Sequence, residues 1–387
     1  MDTTYVNTII VAFLVVAALV VSIGYLYVDE EDLRSVAEVA ALAGAQEIRN
    51  RNLVQLQSAP DRLAAVAGDT VQAEARAVAV TQALGKHKEA ALTHAFNDNG
   101  NRLTTANDVT VGFWNISTKI YTPGATPVNA IQVRTRRTAE SEGAGIGRIG
   151  NIFGTLFGVQ KFDYTPDAVA ALPPRADVNF TLCTEACESR CSYPSVCTVA
   201  ERKFTSTPFQ PERAAAGSLA ATYLLYQLNT AVNVSDLICM GTTPQAVCRK
   251  EVFTAFDQQD RALRDLKSVM YNPNVDVANK EYDKATGRLL GWWVIAPVAD
   301  CRRSRPEATF ERRSVERYAL VRISRICTPG GSGCQQNNTT FDAPAAVCGS
   351  ERGLFIDRIS CVNCNGKELL QFPGLTPVLV SESGTPH

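Results

Sequence analysis

The chain opens with a long, uninterrupted apolar run. Ile9 to Val28 contains no charged residue, and no Lys or Arg precedes it. About 20 helical residues extend about 30 Å, which is the thickness of the hydrocarbon core of a bilayer. The run is also longer than the apolar segment of a usual signal peptide. We therefore predict a transmembrane anchor over residues 1–28, with a cleaved signal sequence as the alternative.

A helical pattern of small and apolar residues continues beyond this run. The apolar positions recur every three or four residues, and the first proline of the chain is Pro60. This spacing predicts one continuous helix from about Tyr5 to Asn50, about 70 Å long. Its lower half presents a narrow face of alanine and glycine, which is suited to close packing against another helix. The predicted helix-packing motif consists of Leu33, Ala37, Ala40, Ala41, Leu42, Ala43, Gly44 and Ala45.

The hydrophobic period changes from helical to alternating after about residue 100. Cap-forming residues predict further helices after Ser58 and from Asp69 toward Ala95. Alternation of apolar and polar residues then predicts strands at Val109–Trp114 and Ala130–Thr135, on either side of a turn at Pro123–Gly124. The first half of the chain is therefore expected to combine long helices with a small antiparallel sheet.

Three short motifs of this half resemble one known family. They are Val39-Ala40-Ala41-Leu42-Ala43-Gly44-Ala45, Gly112-Phe113-Trp114 and Asn129-Ala130-Ile131-Gln132-Val133. In this order, behind an apolar run, they resemble the TadE/TadG-like proteins of tight adherence (Tad, Flp pilus assembly) systems, over about residues 9–170. The acidic residues Asp29–Asp32 depart from the family pattern. The resemblance implies a pilus-assembly protein that contacts partner proteins through its N-terminal helix.

The second half is rich in cysteine. No cysteine precedes Cys183, and the boundary is predicted at a proline-containing linker, Ala171–Arg175. An even number of cysteines indicates disulfides in an exported domain, and sequence alone does not give their pairing. A zinc site or a redox-active pair at Cys361-Val362-Asn363-Cys364 is the alternative. The twelve disulfide candidates are Cys183, Cys187, Cys191, Cys197, Cys239, Cys248, Cys301, Cys327, Cys334, Cys348, Cys361 and Cys364.

Helices and strands are both expected in this half. Periodicity predicts helices at Ala214–Leu228 and Val247–Met270, and strands at Trp292–Val298, Tyr318–Ile326 and Gly353–Cys361. The predicted fold class is α+β, in three parts. They are a transmembrane anchor (1–28) that continues into a pilin-like helix, a Tad-like helical and strand domain with a small antiparallel sheet (29–170), and a disulfide-rich α+β outer domain (171–387).

An arginine-rich stretch lies between Cys301 and Cys327. One interpretation is a surface for an anionic ligand, such as polysaccharide, lipid headgroups or DNA. The other, which we favour, is a solvated strand face with cross-strand ion pairs, because glutamates 307, 311 and 316 are interspersed. The arginines are Arg302, Arg303, Arg305, Arg312, Arg313, Arg317, Arg322 and Arg325.

Composition gives little support for catalysis. The chain has 38 basic and 39 acidic residues, so its net charge of −1 does not indicate general attraction to nucleic acid. Three histidines leave little room for a histidine-based catalytic or metal centre, and the nucleophile-elbow, zinc-protease and P-loop motifs do not occur. We predict no enzyme activity, no cofactor, no metal and no specific nucleic-acid partner.

These observations lead to one functional hypothesis and one alternative. The hypothesis is a single-pass inner-membrane component of a Tad/Flp-type pilus or surface-adherence assembly, with its N-terminus in the cytoplasm. Its predicted partners are membrane lipid, other assembly proteins along the N-terminal helix, and an anionic surface ligand. The cysteine-rich domain is expected in the periplasm or at the cell surface, because twelve cysteines suit an oxidising compartment. The alternative is a membrane-tethered binding or sensing module that works alone.

Overall fold

The computed structural model describes residues 3–58 and further ranges of the chain. The helices predicted after Ser58 and from Asp69 lie outside the described residues. The chain divides into two compact units. The first comprises residues 1–48, 66–172 and 377–387, and the second comprises residues 49–65 and 173–376. The described residues are 3–58, 108–135, 137–139, 148–150, 158, 161–187, 191–205, 218–225, 234–240, 248–255, 261–275, 279–300, 310–328, 333–334, 348–372 and 374–381.

The N-terminal helix is continuous over 56 residues. Helix α1 covers Thr3–Ser58, so the predicted helix is confirmed and runs further than expected at its C-terminal end. Helix α2 is Val234–Cys239 and helix α3 is Arg261–Tyr271, with 3₁₀ turns at Thr184–Ala186 and Lys367–Gln371. Among the described residues, α1 is the helix long and apolar enough to cross a membrane.

Fifteen strands lie within the described ranges. In chain order they are β1 Val109–Asn115, β2 Ile120–Pro123, β3 Ala130–Arg134, β4 Ile149–Gly150, β5 Lys161–Phe162, β6 Asp167–Ala171, β7 Phe180–Cys183, β8 Cys197–Thr205, β9 Ser218–Leu225, β10 Glu251–Ala255, β11 Lys280–Tyr282, β12 Leu289–Ala299, β13 Phe310–Cys327, β14 Gly353–Asn363 and β15 Val378–Val380.

The first unit packs one face of α1 against an antiparallel sheet. The strand order is β15-β6-β3-β1-β2, and every pairing in it is antiparallel. The inward-facing residues of β1 and β3, such as Val111 and Ile131, form one core with Val36 and Ala40 of the helix. The predicted strands in this unit are confirmed, and β2 lies between them in the chain as an additional edge strand.

The second unit is built on an eight-stranded, mainly antiparallel sheet. Its order is β10-β13-β14-β8-β9-β7-β12-β11, and the pairings close on themselves because β9 also bonds to β10 and β13 to β12. Strand β12 is covered on both faces, since Trp292 lies in one core and its neighbour Trp293 in another. Helix α3 contributes Leu263, Leu266 and Met270 to the Trp292 core, at the spacing of one helix face.

Two helices predicted for this unit are wrong. The described part of Ala214–Leu228 is strand β9, which hydrogen-bonds to β7, β8 and β10. The predicted helix Val247–Met270 divides into strand β10 and helix α3. In both cases pairing with distant strands outweighs a local preference for helix, which is worth less than about 1 kcal/mol per ordinary residue. The strands predicted near 292, 318 and 353 are confirmed as β12, β13 and β14, and the α+β class is confirmed.

Candidate functional site

The first half of α1 exposes its apolar side chains. Phe13 is 73% exposed, and most residues of the run from Ile9 to Val28 are exposed in the same way. Ala18, Ser22 and Leu26 are exceptions, buried at intervals of four residues along one side of the helix. This segment therefore offers a broad apolar surface with one narrow covered stripe.

The predicted helix-packing motif lies in the core of the first unit. Leu33, Ala37, Ala40, Ala41 and Ala45 all belong to the core that α1 shares with strands of the same chain. Gly44 is buried as well, and Leu42 and Ala43 are half-buried. Small side chains let the helix backbone approach the sheet closely, which is the property that the sequence pattern indicated. Their contact with a partner helix stays a prediction.

The acidic stretch after the apolar run has partners within the first unit. Asp29 faces Arg137 at 3.9 Å between Oδ2 and Nη1. One turn further along, the Thr135 hydroxyl donates to the backbone carbonyl of Leu33 at 3.2 Å. Burial raises the pKa of Tyr164, and the negative charges of Glu30 and Asp29 add to this effect. Sequence reasoning missed these contacts because the partners are more than 100 residues apart, as for Thr135 and Leu33 at a separation of 102.

Gly112, the first residue of the Gly-Phe-Trp motif, lies where no side chain fits. A Cβ atom at this position would lie 2.2 Å from the carbonyl oxygen of Thr122, on the neighbouring strand β2. Pairing of Gly112 with Pro123 brings the two backbones together at this point. The motif therefore serves close strand approach at the β1–β2 hairpin.

Five disulfides join cysteines of the described ranges in the second unit. None of the cysteines in the described ranges is free, and Cys183 is also disulfide-bonded, whereas Cys301 lies outside those ranges. Of these five, Cys187–Cys361 closes the longest loop, with a separation of 174 residues. The predicted presence of disulfides in this half is thereby confirmed. The pairs are Cys187–Cys361, Cys191–Cys197, Cys239–Cys334, Cys248–Cys364 and Cys327–Cys348.

The cysteines of the Cys-x-x-Cys motif are not joined to each other. Cys361 pairs with Cys187 and Cys364 with Cys248, so neither is available as a thiolate. The same holds for Cys239 and Cys334, which lie with the Asp265 carboxylate in a group that could otherwise suit a metal ion. A thiolate is the form of cysteine that binds a metal or attacks a disulfide. These cysteines therefore hold the chain together in the oxidised protein.

The arginine-rich strand β13 carries mainly ion pairs. Arg322 contacts Glu281 at 2.9 Å and also Asp357, and Arg325 contacts Glu201 at 2.9 Å and Glu351 at 2.5 Å. Burial raises the pKa of Asp357, although Arg322 and Arg358 oppose this rise.

Other arginines of the stretch have different surroundings. Arg312 lies 3.8 Å from Glu251, and the buried Arg313 donates to the carbonyl of Asp300. Arg302, Arg303 and Arg305 lie outside the described residues. Cross-strand ion pairs therefore account for Arg312, Arg322 and Arg325.

Arg317 differs from these arginines. It donates to the backbone carbonyl of Cys187 at 3.2 Å, and it pairs with no carboxylate in the described part of the chain. It is one of the residues that line a cleft of about 550 Å³, together with Arg249, Ser314, Asn363 and Asn365. The sequence does not identify Arg249 as a site residue, because it lies outside the arginine-rich stretch, in a segment distant from β13.

The family comparison bears on the first half of the chain. The Tad family model, described as Flp pilus-assembly TadE/G-like, matches residues 6–47, and a second model, described as Tad-like Flp pilus-assembly, matches residues 29–170. Residues 6–170 are therefore similar to proteins of the Tad family. The predicted resemblance over about residues 9–170 is thereby confirmed, and the Tad-like region ends close to the boundary of the first compact unit at Leu172. No curated protein and no solved structure matches the chain.

Proposed function

We propose that this protein is a non-enzymatic, membrane-anchored component of a Tad/Flp-type pilus or surface-adherence assembly. Its N-terminal helix anchors the chain and contacts other assembly proteins, and its disulfide-linked domain is displayed outside the cytoplasm. The observation that carries the proposal is the division of α1. Its first half exposes apolar residues such as Phe13 and Val20, whereas its second half packs one face into the core of the Tad-like region.

An apolar surface of this extent is unstable in water. Each exposed apolar side chain of this size costs about 1.5–3 kcal/mol relative to its burial. Ile9, Phe13, Val16 and Val20 are each more than half exposed, and they lie within one membrane-length stretch. Lipid and neighbouring transmembrane helices supply the missing contacts. We therefore propose partner contact along residues 9–28, where the apolar side chains are exposed, whereas the alanine-rich face below contacts the sheet of its own unit and its packing against a partner helix stays a prediction.

The cysteine-rich unit supports an orientation with this unit outside the cytoplasm. Disulfides persist in the periplasm and at the cell surface and are rare in the cytosol. A domain whose described residues include five cross-links, two of which span more than 100 residues, fits the outer side of the membrane. The short segment before Ile9 then lies in the cytoplasm. This arrangement resembles an anchored pilus component with an exported head.

Replacement of the helix segment separates anchoring from assembly. Residues 9–28 are exchanged for about 20 leucines, the length that spans a bilayer, and the full chain is produced in its own host. We expect the protein to remain in the membrane fraction but to lose co-purification with pilus-assembly proteins. Unchanged co-purification and piliation would contradict partner packing through this segment and would favour a tethered module that works alone.

Site-specific photo-crosslinking locates the contact. A benzophenone amino acid at the exposed Phe13 or Val20 should cross-link to other assembly proteins. The same probe at Leu26, which is buried along the covered stripe, is the matched control and should give mainly adducts within the chain. Equal partner cross-linking from all three positions would contradict a specific contact surface.

A further inference from the structure

We propose that the cleft between Arg249 and Arg317 binds an acidic saccharide, with the two guanidinium groups on a sugar carboxylate and the neighbouring amides on sugar hydroxyls. The two arginines come from separate segments and line one cleft. Arginine is the side chain best suited to a carboxylate, because its planar fork donates two parallel hydrogen bonds. The Tad family matches end at residue 170 and do not reach this site.

The walls of the cleft are held by backbone hydrogen bonds and a disulfide. The Arg249 amide donates to the Val315 carbonyl at 2.9 Å, and the Cys364 amide donates to the Glu316 carbonyl at 3.0 Å. The Cys248–Cys364 disulfide joins the segment beside Arg249 to the turn that carries Asn363 and Asn365. Three segments distant in sequence are thus fixed around one opening. A site fixed in this way loses little entropy when a ligand binds.

The charges of the two arginines are not used by the fold. Arg317 has one hydrogen bond, to a neutral carbonyl, whereas Arg322 and Arg325 on the same strand each contact two carboxylates. The exposed Arg249 side chain makes no hydrogen bond or ion pair across the described ranges. Its backbone φ of 64° lies in the left-handed region, which is uncommon for residues other than glycine and asparagine. The Arg249 guanidinium therefore lies at the cleft although no contact within the described ranges uses its charge.

The rest of the lining favours a saccharide over a nucleic acid. A volume of about 550 Å³ is that of a small-molecule site. The lining offers the Ser314 hydroxyl and two asparagine amides, which both donate to and accept from hydroxyl groups. Its described lining residues include no aromatic ring on which a base could stack. Glu316 also lines the cleft, where its carboxylate is an acceptor for sugar hydroxyls and repels nearby anionic groups, most strongly those of a densely charged polyphosphate.

Binding is tested with the purified full-length chain in detergent. The probe is a galacturonate tetramer, and the matched ligand is the same tetramer with methyl-esterified carboxylates, both titrated calorimetrically at low salt. Arg249→Asn removes the charge while keeping a residue that tolerates the left-handed backbone. Arg317→Gln is the second variant. Arg312→Gln is the matched control, because it removes an exposed arginine of the same strand outside the cleft.

We expect the acidic tetramer to bind and the esterified one to bind at least about tenfold more weakly, because each charge-assisted contact is worth about one power of ten. Arg249→Asn should lower the affinity by a similar factor, and Arg312→Gln by less than about twofold. Four results would overturn the proposal. They are absence of binding, equal affinity for the esterified tetramer, equal effects of Arg249→Asn and Arg312→Gln, and tighter binding of a single-stranded DNA oligonucleotide. The titration uses isolated protein, so a negative result would leave the proposed pilus function untouched. The inference rests on that function only for the access of the cleft to polysaccharide outside the cell.

Discussion

The side-chain amide of Asn129 substitutes for a strand partner of Trp114. The Trp114 amide donates to Asn129 Oδ1 at 2.7 Å, and Asn129 Nδ2 donates to the Trp114 carbonyl at 3.1 Å. Pairing of β1 with β3 ends at Gly112 and Ala130, so these two bonds continue the ladder where the strands part. The Gly-Phe-Trp and Asn-Ala motifs that mark the Tad-like region thus meet in one structural unit.

Asn129→Leu is expected to destabilise the first unit by about 2–4 kcal/mol, because it leaves a buried amide and a buried carbonyl without partners. Leucine has nearly the same size as asparagine, so packing changes little. Hydrogen exchange of the full-length protein over residues 109–134 measures the effect. Thr118→Ala, at an exposed position of the same hairpin, is the control and should change stability by less than about 0.5 kcal/mol. Equal protection in both variants would contradict the assigned role.

Gly112→Ala should disrupt the β1–β2 hairpin. The added methyl group would lie 2.2 Å from the Thr122 carbonyl, and a backbone atom cannot move aside without breaking strand pairing. We expect a loss of more than about 2 kcal/mol, at the upper end of overpacking effects. Gly24→Ala is the control, since a methyl group added there in helix α1 would have no atom within 4 Å. Comparable stability of the two variants in denaturant titrations would show that β2 is displaced at no cost.

The sequence predicts where helices and strands lie better than it predicts which strands and cysteines pair. The apolar run and the alternation at Val109–Trp114 identify α1 and β1, because burial of one face dictates the period. The pattern of Ala214–Leu228 does not indicate the three strands that hydrogen-bond to β9. The disulfide pairing is equally hidden, since cysteine position does not fix which sulfurs meet. Arg249 joins the cleft only through contacts between distant segments.

Arg322→Gln should give a pH-dependent loss of stability. Arg322 is 12% exposed and contacts both Glu281 and Asp357. Burial already raises the pKa of Asp357 above its unfolded value, so the stability this group contributes is present at low pH and is lost as pH rises through the folded pKa. Removal of the opposing Arg322 charge raises that pKa further. The variant should therefore lose about 2–3 kcal/mol at neutral pH and about 1 kcal/mol or less near pH 4.

Urea titrations at both pH values measure this difference. Arg312→Gln, which breaks a solvent-exposed ion pair on the same strand, is the control and should cost about 0.5 kcal/mol at either pH. A loss for Arg322→Gln that does not vary with pH would mean that the ion pairs are not its cause.

The two disulfides near residue 190 should differ in their effect on stability. Cys187–Cys361 closes a loop of 174 residues and Cys191–Cys197 one of 6. Loop-closure entropy predicts that removal of the longer cross-link, as a double serine variant, costs more, by up to about 3 kcal/mol and by less where cross-links such as Cys248–Cys364 already shorten the loop. Denaturant midpoints of the two double variants measure the difference. A larger loss from the short loop would contradict the assigned connectivity.

The proposed topology keeps α1 in the membrane and the disulfide-linked unit outside the cytoplasm. Paired fusions after His387 test it, one to a phosphatase that is active only after export and one to a fluorescent protein that matures only in the cytosol. We expect an active phosphatase and a dark fluorescent fusion, both in the membrane fraction. A fluorescent fusion with an inactive phosphatase would place the cysteines in the cytosol and contradict this topology.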